Sequence, residues 1–243
     1  MPFQTACVIC GDLLVYEPQA REMTCAVCGR KLDSEISCIN GHFVCESCHN
    51  MAPADFIEQQ CITAMDTDPV SFGARLMRSS KIRVHGPEHH FIVPAALLTT
   101  YYNFRGDWRT KREMLAEAHK RSDMLPPGAC GYHGACGAAV GSGIFISIIT
   151  GATPVATLSW SQSNKATANA LQLIAENGGP RCCKRDAFLS IISTVKFLDE
   201  QFSIKLPATL APRCEFDRLN RDCRITPCPF HGNDRQLARA SVH

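Results

Sequence analysis

After about residue 50, apolar positions recur at the spacing of one face of an α-helix. One such helix is expected to begin at Pro94 and end at Gly106, with four residues on its buried face: Leu97, Leu98, Tyr101 and Phe104. Another follows Pro180 and has six apolar residues on one face: Phe188, Ile191, Ile192, Val195, Leu198 and Phe202. Helices are also predicted over 53–65, 69–78, 107–123 and 160–176. The apolar run 144–150 could be a buried helix or a strand, and a helix is expected because helical segments surround it. The pattern therefore predicts a mainly α protein.

The first 50 residues lack this pattern and carry paired metal-binding side chains instead. The pairs are Cys7 and Cys10, Cys25 and Cys28, Cys38 and His42, and Cys45 and Cys48. A two-residue spacer lets one tight turn present two thiolates to one ion, and tetrahedral zinc takes four such ligands. Gly11 and Gly29 follow two of the pairs, where the turn requires a positive φ. Eight ligands predict two zinc ions.

Two pairings of these ligands are open, one consecutive and one interleaved. The stretch from Cys25 to Cys48 resembles the first six ligands of a RING or treble-clef finger, and Cys7 and Cys10 could supply the missing last pair. That resemblance favours the interleaved pairing, in which the pairs at 25–28 and 45–48 share one ion. About 50 residues bury too little surface to be stable alone, so zinc is expected to supply the folding energy of a zinc-ribbon or treble-clef-like module.

Composition narrows the class of protein further. The chain has 243 residues, of which 45% are hydrophobic and 20% charged, so it is expected to fold. A net charge of +2 makes nucleic acid an unfavoured partner, and the longest apolar run is too short to cross a bilayer. Fifteen cysteines, an odd number, argue against a closed set of disulfides. With no secretory signal recognised, we expect a cytoplasmic protein with reduced thiols.

The strongest candidate site lies at the start of the last long helix, where two adjacent cysteines stand among cations. Cys182 and Cys183 are flanked by Arg181, Lys184 and Arg185. A helix amino terminus and nearby cations stabilise an anion, so at least one of these thiols is expected to have a lowered pKa. Cys182 or Cys183 would then act as a nucleophile or a metal ligand, and Arg181 and Lys184 would hold an anion.

Five more cysteines are expected to join this site. Cys130 and Cys136 lie in a glycine-rich stretch, and Cys214, Cys223 and Cys228 form a run that ends in Cys-Pro, as is common in iron–sulfur ligation. The predicted cofactor-binding thiols are thus Cys130, Cys136, Cys182, Cys183, Cys214, Cys223 and Cys228. Four would hold one [4Fe–4S] cluster and up to three would remain for chemistry. His89 and His133 could move protons.

Several of these segments resemble a cysteine-rich family of unknown function from anaerobic bacteria and archaea, in which the domain is sometimes fused to an S-adenosylmethionine-dependent methyltransferase. The resemblance covers roughly residues 80–232, and its most specific part is Gly-Gly-Pro-Arg-Cys-Cys-Lys-Arg at 178–185. It implies an oxygen-sensitive, metal-bearing role and no known reaction. The methyltransferase domain is absent from the given sequence.

The sequence thus predicts a zinc-binding module over 1–50, a helical cysteine-rich domain over 51–232 and a tail over 233–243. The leading hypothesis is a zinc and iron–sulfur protein of anaerobic redox or sulfur-transfer metabolism, acting on an unidentified protein or small molecule. One alternative is a non-catalytic zinc-stabilised adaptor or regulator. Another, suggested by the resemblance, is an accessory to a methyltransferase system.

Overall fold

The computed structural model describes residues 6–232, which fold into a small amino-terminal sheet followed by a helical assembly. The two strands are β1 (Leu14–Thr24) and β2 (Lys31–Cys38). The nine helices of the described residues are α1 (Glu46–His49), α2 (Pro53–Thr63), α3 (Pro69–Arg78), α4 (Glu88–Arg105), α5 (Trp108–Asp123), α6 (Ala129–Tyr132), α7 (Gly137–Thr150), α8 (Leu158–Asn177) and α9 (Cys183–Phe202). This confirms the predicted mainly α fold class. The predicted tail over 233–243 lies outside the described residues.

The two strands form an antiparallel hairpin whose ends lie at the metal-ligand pairs. Its register runs from Leu14 opposite Cys38 to Thr24 opposite Lys31, with an irregularity between Tyr16 and Arg21. The strands were not predicted, because most of their side chains are exposed and no buried face imposes a two-residue alternation.

A first core lies beneath the hairpin and is built largely from ligand residues. Cys25, Cys45 and Cys48 are buried with Val27 and a few other apolar side chains. Phe56 of α2 also belongs to this core, so the packing of the module continues past residue 50. So small an apolar cluster contributes little burial energy on its own.

The second and larger core is organised around α4. This helix packs against α2, α3, α5, α7 and α9, and it is buried along most of its length. It begins at Glu88, one and a half turns before the predicted start, and Pro94 lies inside it. The proline cannot bond the His90 carbonyl, which accepts a hydrogen bond from the Ser122 hydroxyl at 3.4 Å instead.

Helix α9 is the other buried element, and its predicted face is largely confirmed. Phe188, Ile191, Ile192, Val195 and Leu198 are all buried, whereas Phe202 is only partly buried. On α4, by contrast, Phe104 was predicted to be buried and is 49% exposed, because the helix has left the core by its last turn.

The chain after α9 is mostly irregular and folds back over the amino terminus of that helix. The Phe230 ring packs edge-on against Phe188 with the centroids 5.4 Å apart, and the Cys214 amide donates to the Phe230 carbonyl at 2.7 Å. Arg78 of α3 pairs with Glu215 through two hydrogen bonds of 2.6 and 2.5 Å. These contacts bring the last three cysteines next to Cys182.

No helix among residues 6–232 combines the length and apolar character that a bilayer crossing requires.

Candidate metal sites and the cysteine-lined cavity

The first ligand group combines the first Cys pair with the Cys–His pair after β2. The ligand atoms of Cys7, Cys10, Cys38 and His42 all lie within 4.8 Å of one another. The Cys10 and Cys38 sulfurs are 3.9 Å apart, and His42 Nδ1 is 3.4 Å from the Cys38 sulfur. A tight turn closes each pair, because Gly11 donates to the Cys7 carbonyl and Gly41 to the Cys38 carbonyl.

The second group joins the cysteines on either side of the hairpin. Cys25, Cys28, Cys45 and Cys48 meet the same 4.8 Å limit, and the sulfurs of Cys28 and Cys45 are 3.8 Å apart. Arg30 donates to both of these sulfurs, at 3.4 and 3.3 Å. Burial raises the pKa of Cys28, and hydrogen bonds from Arg30, Cys25 and Cys48 together outweigh it and lower the pKa overall. Arg30 therefore favours the thiolate form.

These two groups have the interleaved arrangement, in which the pairs at 25–28 and 45–48 share one site. The hairpin enforces it, since β1 leads from the first pair to the second and β2 returns to the third. Thiolate and imidazole donors at these separations suit one tetrahedral ion each, so both groups could bind zinc.

In the helical part, four of the seven predicted cofactor thiols line one cavity. Cys182, at the start of α9, meets Cys214, Cys223 and Cys228 from the irregular segment that follows it. Three aromatic rings cover the same space: Phe188, Phe216 and Phe230. The cavity thus combines thiols and aromatic rings, and charged residues such as Lys184, Asp217 and Arg224 complete its lining.

The spacing of these four thiols differs from that of the amino-terminal groups. Across residues 6–232, only the two groups already described bring three or more His, Cys, Asp or Glu ligand atoms within 4.8 Å of one another. The four thiols line one cavity but are not gathered as closely as the ligands of a single tetrahedral ion.

Asn220 lies at the edge of the cavity and links Cys182 to His85. Its side-chain amide donates towards the Cys182 sulfur at 3.6 Å, and its Oδ1 is 3.0 Å from His85 Nε2. Asn220 is buried and orients Cys182 from outside the thiol set. Sequence reasoning missed it, because nothing in the spacing of an isolated asparagine marks it. Arg30 was missed too, although a basic residue directly after a Cys-x2-Cys-Gly turn is a usable signal.

Two of the three cations around Cys182 and Cys183 are buried, contrary to the expectation of an exposed anion site. Lys184 donates to the Met77 carbonyl at 2.8 Å, and its ammonium lies 4.7 Å from the centre of the Phe216 ring. Burial lowers its pKa to about 8. Arg185 forms a buried ion pair with Asp186 at 2.9 Å. Arg181 alone of the three is exposed to solvent.

The expected lowering of the thiol pKa at this helix start is not found. Burial raises the pKa of both Cys182 and Cys183, and the charge of Asp186 raises it further. The backbone and charge of Arg185 oppose this shift at Cys182, and the Gly86 backbone and the charge of Arg181 oppose it at Cys183. At both thiols the effect of burial is larger than that of the flanking cations.

Cys130 and Cys136 are not in the cavity of the four thiols. They line a separate open cleft formed by α6, the end of α8 and the loop before α9. Arg185 borders both spaces. Cys183 lines neither of them. The seven predicted thiols therefore fall into three sets: four in the enclosed cavity, two in the open cleft, and Cys183 in neither.

The two predicted proton-carrying histidines lie in different surroundings. His133 is exposed, whereas His89 is buried and its Nδ1 is 3.1 Å from the Gly86 carbonyl. Burial, followed by the charge of Lys184, holds the pKa of His89 well below its usual value, so its imidazole is neutral at neutral pH. In the described residues, four of the five buried polar atoms without a hydrogen-bond partner fall between residues 85 and 90: His85 Nδ1, Glu88 Oε2, His89 Nε2 and His90 Nδ1.

Comparison with known proteins gives a family and no activity. The model of a family of unknown function, DUF5714, matches residues 57–231. No curated protein and no solved structure matches the chain significantly. The matched region contains all the cysteines of the helical part and none of the amino-terminal ligands.

Proposed function

This chain belongs to the family of unknown function DUF5714, and we propose from its cysteine sites that it is an iron–sulfur redox protein with a zinc-folded amino-terminal module. The observation that carries the proposal is the cavity where Cys182 meets Cys214, Cys223 and Cys228. Four thiolates are the usual ligand set of a [4Fe–4S] cluster. In such a cluster iron and sulfide alternate at the corners of a cube and each thiolate binds one iron, so the thiolates lie farther apart than around one ion. This set likewise falls outside the 4.8 Å limit that the amino-terminal groups meet.

The surroundings of the four thiols support this assignment. Phe188, Phe216 and Phe230 restrict water, which would stabilise an air-sensitive group. Lys184 places a buried ammonium beside the thiols and would offset part of the negative charge of four thiolates. Asn220 would donate to the Cys182 sulfur. When bound, the cluster would supply one-electron transfer.

The two amino-terminal groups are proposed to hold zinc in a structural role. Each has four ligands within 4.8 Å and backbone amides that donate to the sulfurs, such as Asn40 to Cys38 at 3.3 Å and Cys45 to Cys25 at 3.4 Å. All four positions of each group come from the protein, whereas a catalytic zinc keeps one position open for water or substrate. These ions would fold the module and take no part in electron transfer.

The setting that fits this chemistry is a reducing, oxygen-poor cytoplasm. The fifteen cysteines are all free thiols in the structure, which suits a compartment that keeps thiols reduced. We assign the protein to anaerobic redox or sulfur-transfer metabolism, with a small molecule or a protein as electron partner.

Single cysteine substitutions in anaerobically purified protein test the ligand set. Replacing Cys182, Cys214, Cys223 or Cys228 by Ser should remove most of the iron and the broad absorption near 400 nm, because a cluster rarely survives the loss of a thiolate ligand. Cys183→Ser is the matched control, since it alters the neighbouring residue and should keep both. Loss of iron in Cys183→Ser with retention in Cys214→Ser would contradict the assignment.

A second candidate function is a zinc-stabilised adaptor without catalysis. The observation that favours it is a group of apolar side chains exposed on and beside the hairpin, namely Leu13, Tyr16, Leu32, Ile36 and Ile39. Exposed apolar patches often mark protein interfaces. This function predicts colourless protein that contains zinc and no iron.

A further inference from the structure

Cys130 and Cys136 form a thiol pair that the four-thiol site leaves free. Both are partly buried and both line the open cleft beside α9. The segment between them contains Gly131 and Gly134, and most of it is exposed. Substrate-sized molecules therefore have access to this pair, which the enclosed cavity does not allow.

The backbone brings the two cysteines towards each other. The Ala135 amide donates to the Ala129 carbonyl at 3.2 Å, so the chain closes a tight loop between the residues that precede each thiol. Gly134 has a φ of 64° in this loop, a conformation that glycine adopts without strain. A disulfide needs two cysteines whose Cα atoms lie within about 7 Å of each other, and this loop draws the backbone next to each thiol together.

The two thiols differ in their surroundings. Cys136 packs against the helical core, and burial raises its pKa to about 12. Cys130 belongs to α6, and its neighbours Gly131 and Tyr132 are exposed. Cys130 is thus the better placed of the two to meet a substrate, with Cys136 behind it.

The buried Arg185–Asp186 ion pair connects this cleft with the four-thiol cavity. Arg185 borders both spaces, and its partner Asp186 borders the cleft. The charge of Asp186 acts on both Cys136 and Cys182. The two thiol sites are therefore neighbours.

The charges that line the cleft favour a negatively charged substrate. Arg185 and Asp186 neutralise each other, whereas Arg181 is exposed and lines the cleft with no ion-pair partner in the described structure. Backbone groups of Gly178 and Gly179 line it as well, next to the start of α9. An anionic group would be favoured here.

We propose that Cys130 and Cys136 form a dithiol that reduces small anionic disulfides in this cleft, an inference that rests on the proposed function for its electron supply. The Cys130 thiolate attacks one sulfur of the substrate disulfide, whose S–S bond breaks and releases one thiol after protonation. The Cys136 thiol then gives its proton to the departing thiolate as its sulfur attacks the sulfur of Cys130, which releases the second thiol and leaves a Cys130–Cys136 disulfide. Two electrons from a one-electron donor protein and two protons from water would restore the dithiol, and a cluster held by Cys182, Cys214, Cys223 and Cys228 would supply the path for these electrons.

Trapping of a mixed disulfide tests the exchange step. Anaerobic wild-type protein treated with oxidised glutathione should give a Cys130–Cys136 disulfide in peptide mass spectrometry. Cys136→Ser should instead hold glutathione on Cys130, because the second attack is lost. Cys130→Ser should hold little glutathione on Cys136.

Cys61→Ala is the control for cysteine number, since Cys61 is fully buried in the core away from the cleft. Wild-type protein without a Cys130–Cys136 disulfide, or equal labelling of all cysteines, would overturn the inference.

Comparison of an anionic with a neutral disulfide provides a second test. If Arg181 had only a structural role, its replacement would affect both reactions equally. Arg181→Ala should slow the reaction with oxidised glutathione about threefold more than the reaction with neutral hydroxyethyl disulfide. Equal effects on the two disulfides would overturn the anionic preference. Iron is measured on the same preparations. If the protein contains iron but forms no Cys130–Cys136 disulfide, only this inference is overturned. If it forms the disulfide but contains no iron, only the iron–sulfur proposal is overturned.

Discussion

At the scale of single residues, each cysteine takes its character from its neighbours. Cys61 is fully enclosed by apolar groups, and burial raises its pKa to about 12, as suits a core residue. Cys28 receives hydrogen bonds from Arg30, which favour the thiolate that a metal needs. Cys182 meets three other thiols and Cys136 only one. Spacing along the chain identifies metal-ligand cysteines such as Cys28. It does not distinguish the surroundings of Cys61, Cys182 and Cys136.

His89 should make stability depend on pH below about 7. Its folded-state pKa is depressed, so as pH falls through its ordinary value of 6.5 the unfolded chain takes up a proton that the folded chain does not. Between pH 7 and 5.5 the wild type should lose about 1 kcal/mol more unfolding free energy than His89→Leu. Denaturant unfolding at the two pH values measures this. The exposed His133→Leu serves as control and should behave as the wild type; an unchanged pH dependence in His89→Leu would refute the argument.

At the scale of elements, the glycines of α7 serve helix packing. A Cβ at Gly141 would lie 2.7 Å from Pro94 Cδ and 3.1 Å from the His90 carbonyl oxygen, and one at Gly143 would lie 2.0 Å from Thr167 Oγ1. These glycines therefore let α7 lie close to α4 and α8. The backbone of this glycine-rich segment thus lies in close contact with two helices.

Gly141→Ala should destabilise the protein by about 1–3 kcal/mol, because the added methyl group overpacks the α4–α7 contact. Gly131→Ala is the matched control, since a Cβ there meets nothing within 4 Å. Thermal unfolding of the two variants measures the difference. Equal melting temperatures would show that α7 can move away from α4 without cost.

The sequence predicted elements well where local chemistry decides them. The bounds of α3 were correct because Asp68 caps the helix, accepting from Val70 and Ser71 at 2.9 and 3.1 Å, and Pro69 follows. The start of α4 was misplaced because Pro94 resembles a first-turn proline, and only the contact with Ser122 compensates for it inside the helix.

The candidate sites, too, were predictable where neighbouring residues form them and not where distant segments meet. Eight amino-terminal ligands were recognisable from short spacings, and the pairing followed a known finger pattern. The separation of Cys130 and Cys136 from the other thiols could not be predicted, because it follows from tertiary packing that places them in a different cleft. The burial of the Arg185–Asp186 pair was missed for the same reason, since both residues are charged. The irregular segment after α9 brings Cys214, Cys223 and Cys228 to Cys182, and no local pattern in the sequence predicts how this segment folds.

At the scale of the whole molecule, two cores meet along a polar seam. Lys81 donates to the His49 and Met51 carbonyls at 2.5 and 2.8 Å, and the Ser79 hydroxyl donates to the Val8 carbonyl. The smaller core depends on its ligand cysteines, whereas the larger one is held by apolar packing. We retain the division near residue 50 as a prediction.

Removal of zinc should therefore unfold one part of the chain and not the other. With a zinc chelator added to the full-length protein, amide hydrogen exchange should speed up across residues 6–50, because the small core loses its main support. Exchange in α4 and α9 should stay slow. Acceleration throughout the chain would show a single folding unit, and no change would show that the module does not need metal.

The most direct test of the account is the content of iron, zinc and acid-labile sulfide per chain in protein purified without oxygen. The account predicts about two zinc ions, together with about four irons and four sulfides and a brown colour that air bleaches. Zinc alone, in colourless protein, would contradict the iron–sulfur centre at Cys182, Cys214, Cys223 and Cys228 and would favour the adaptor.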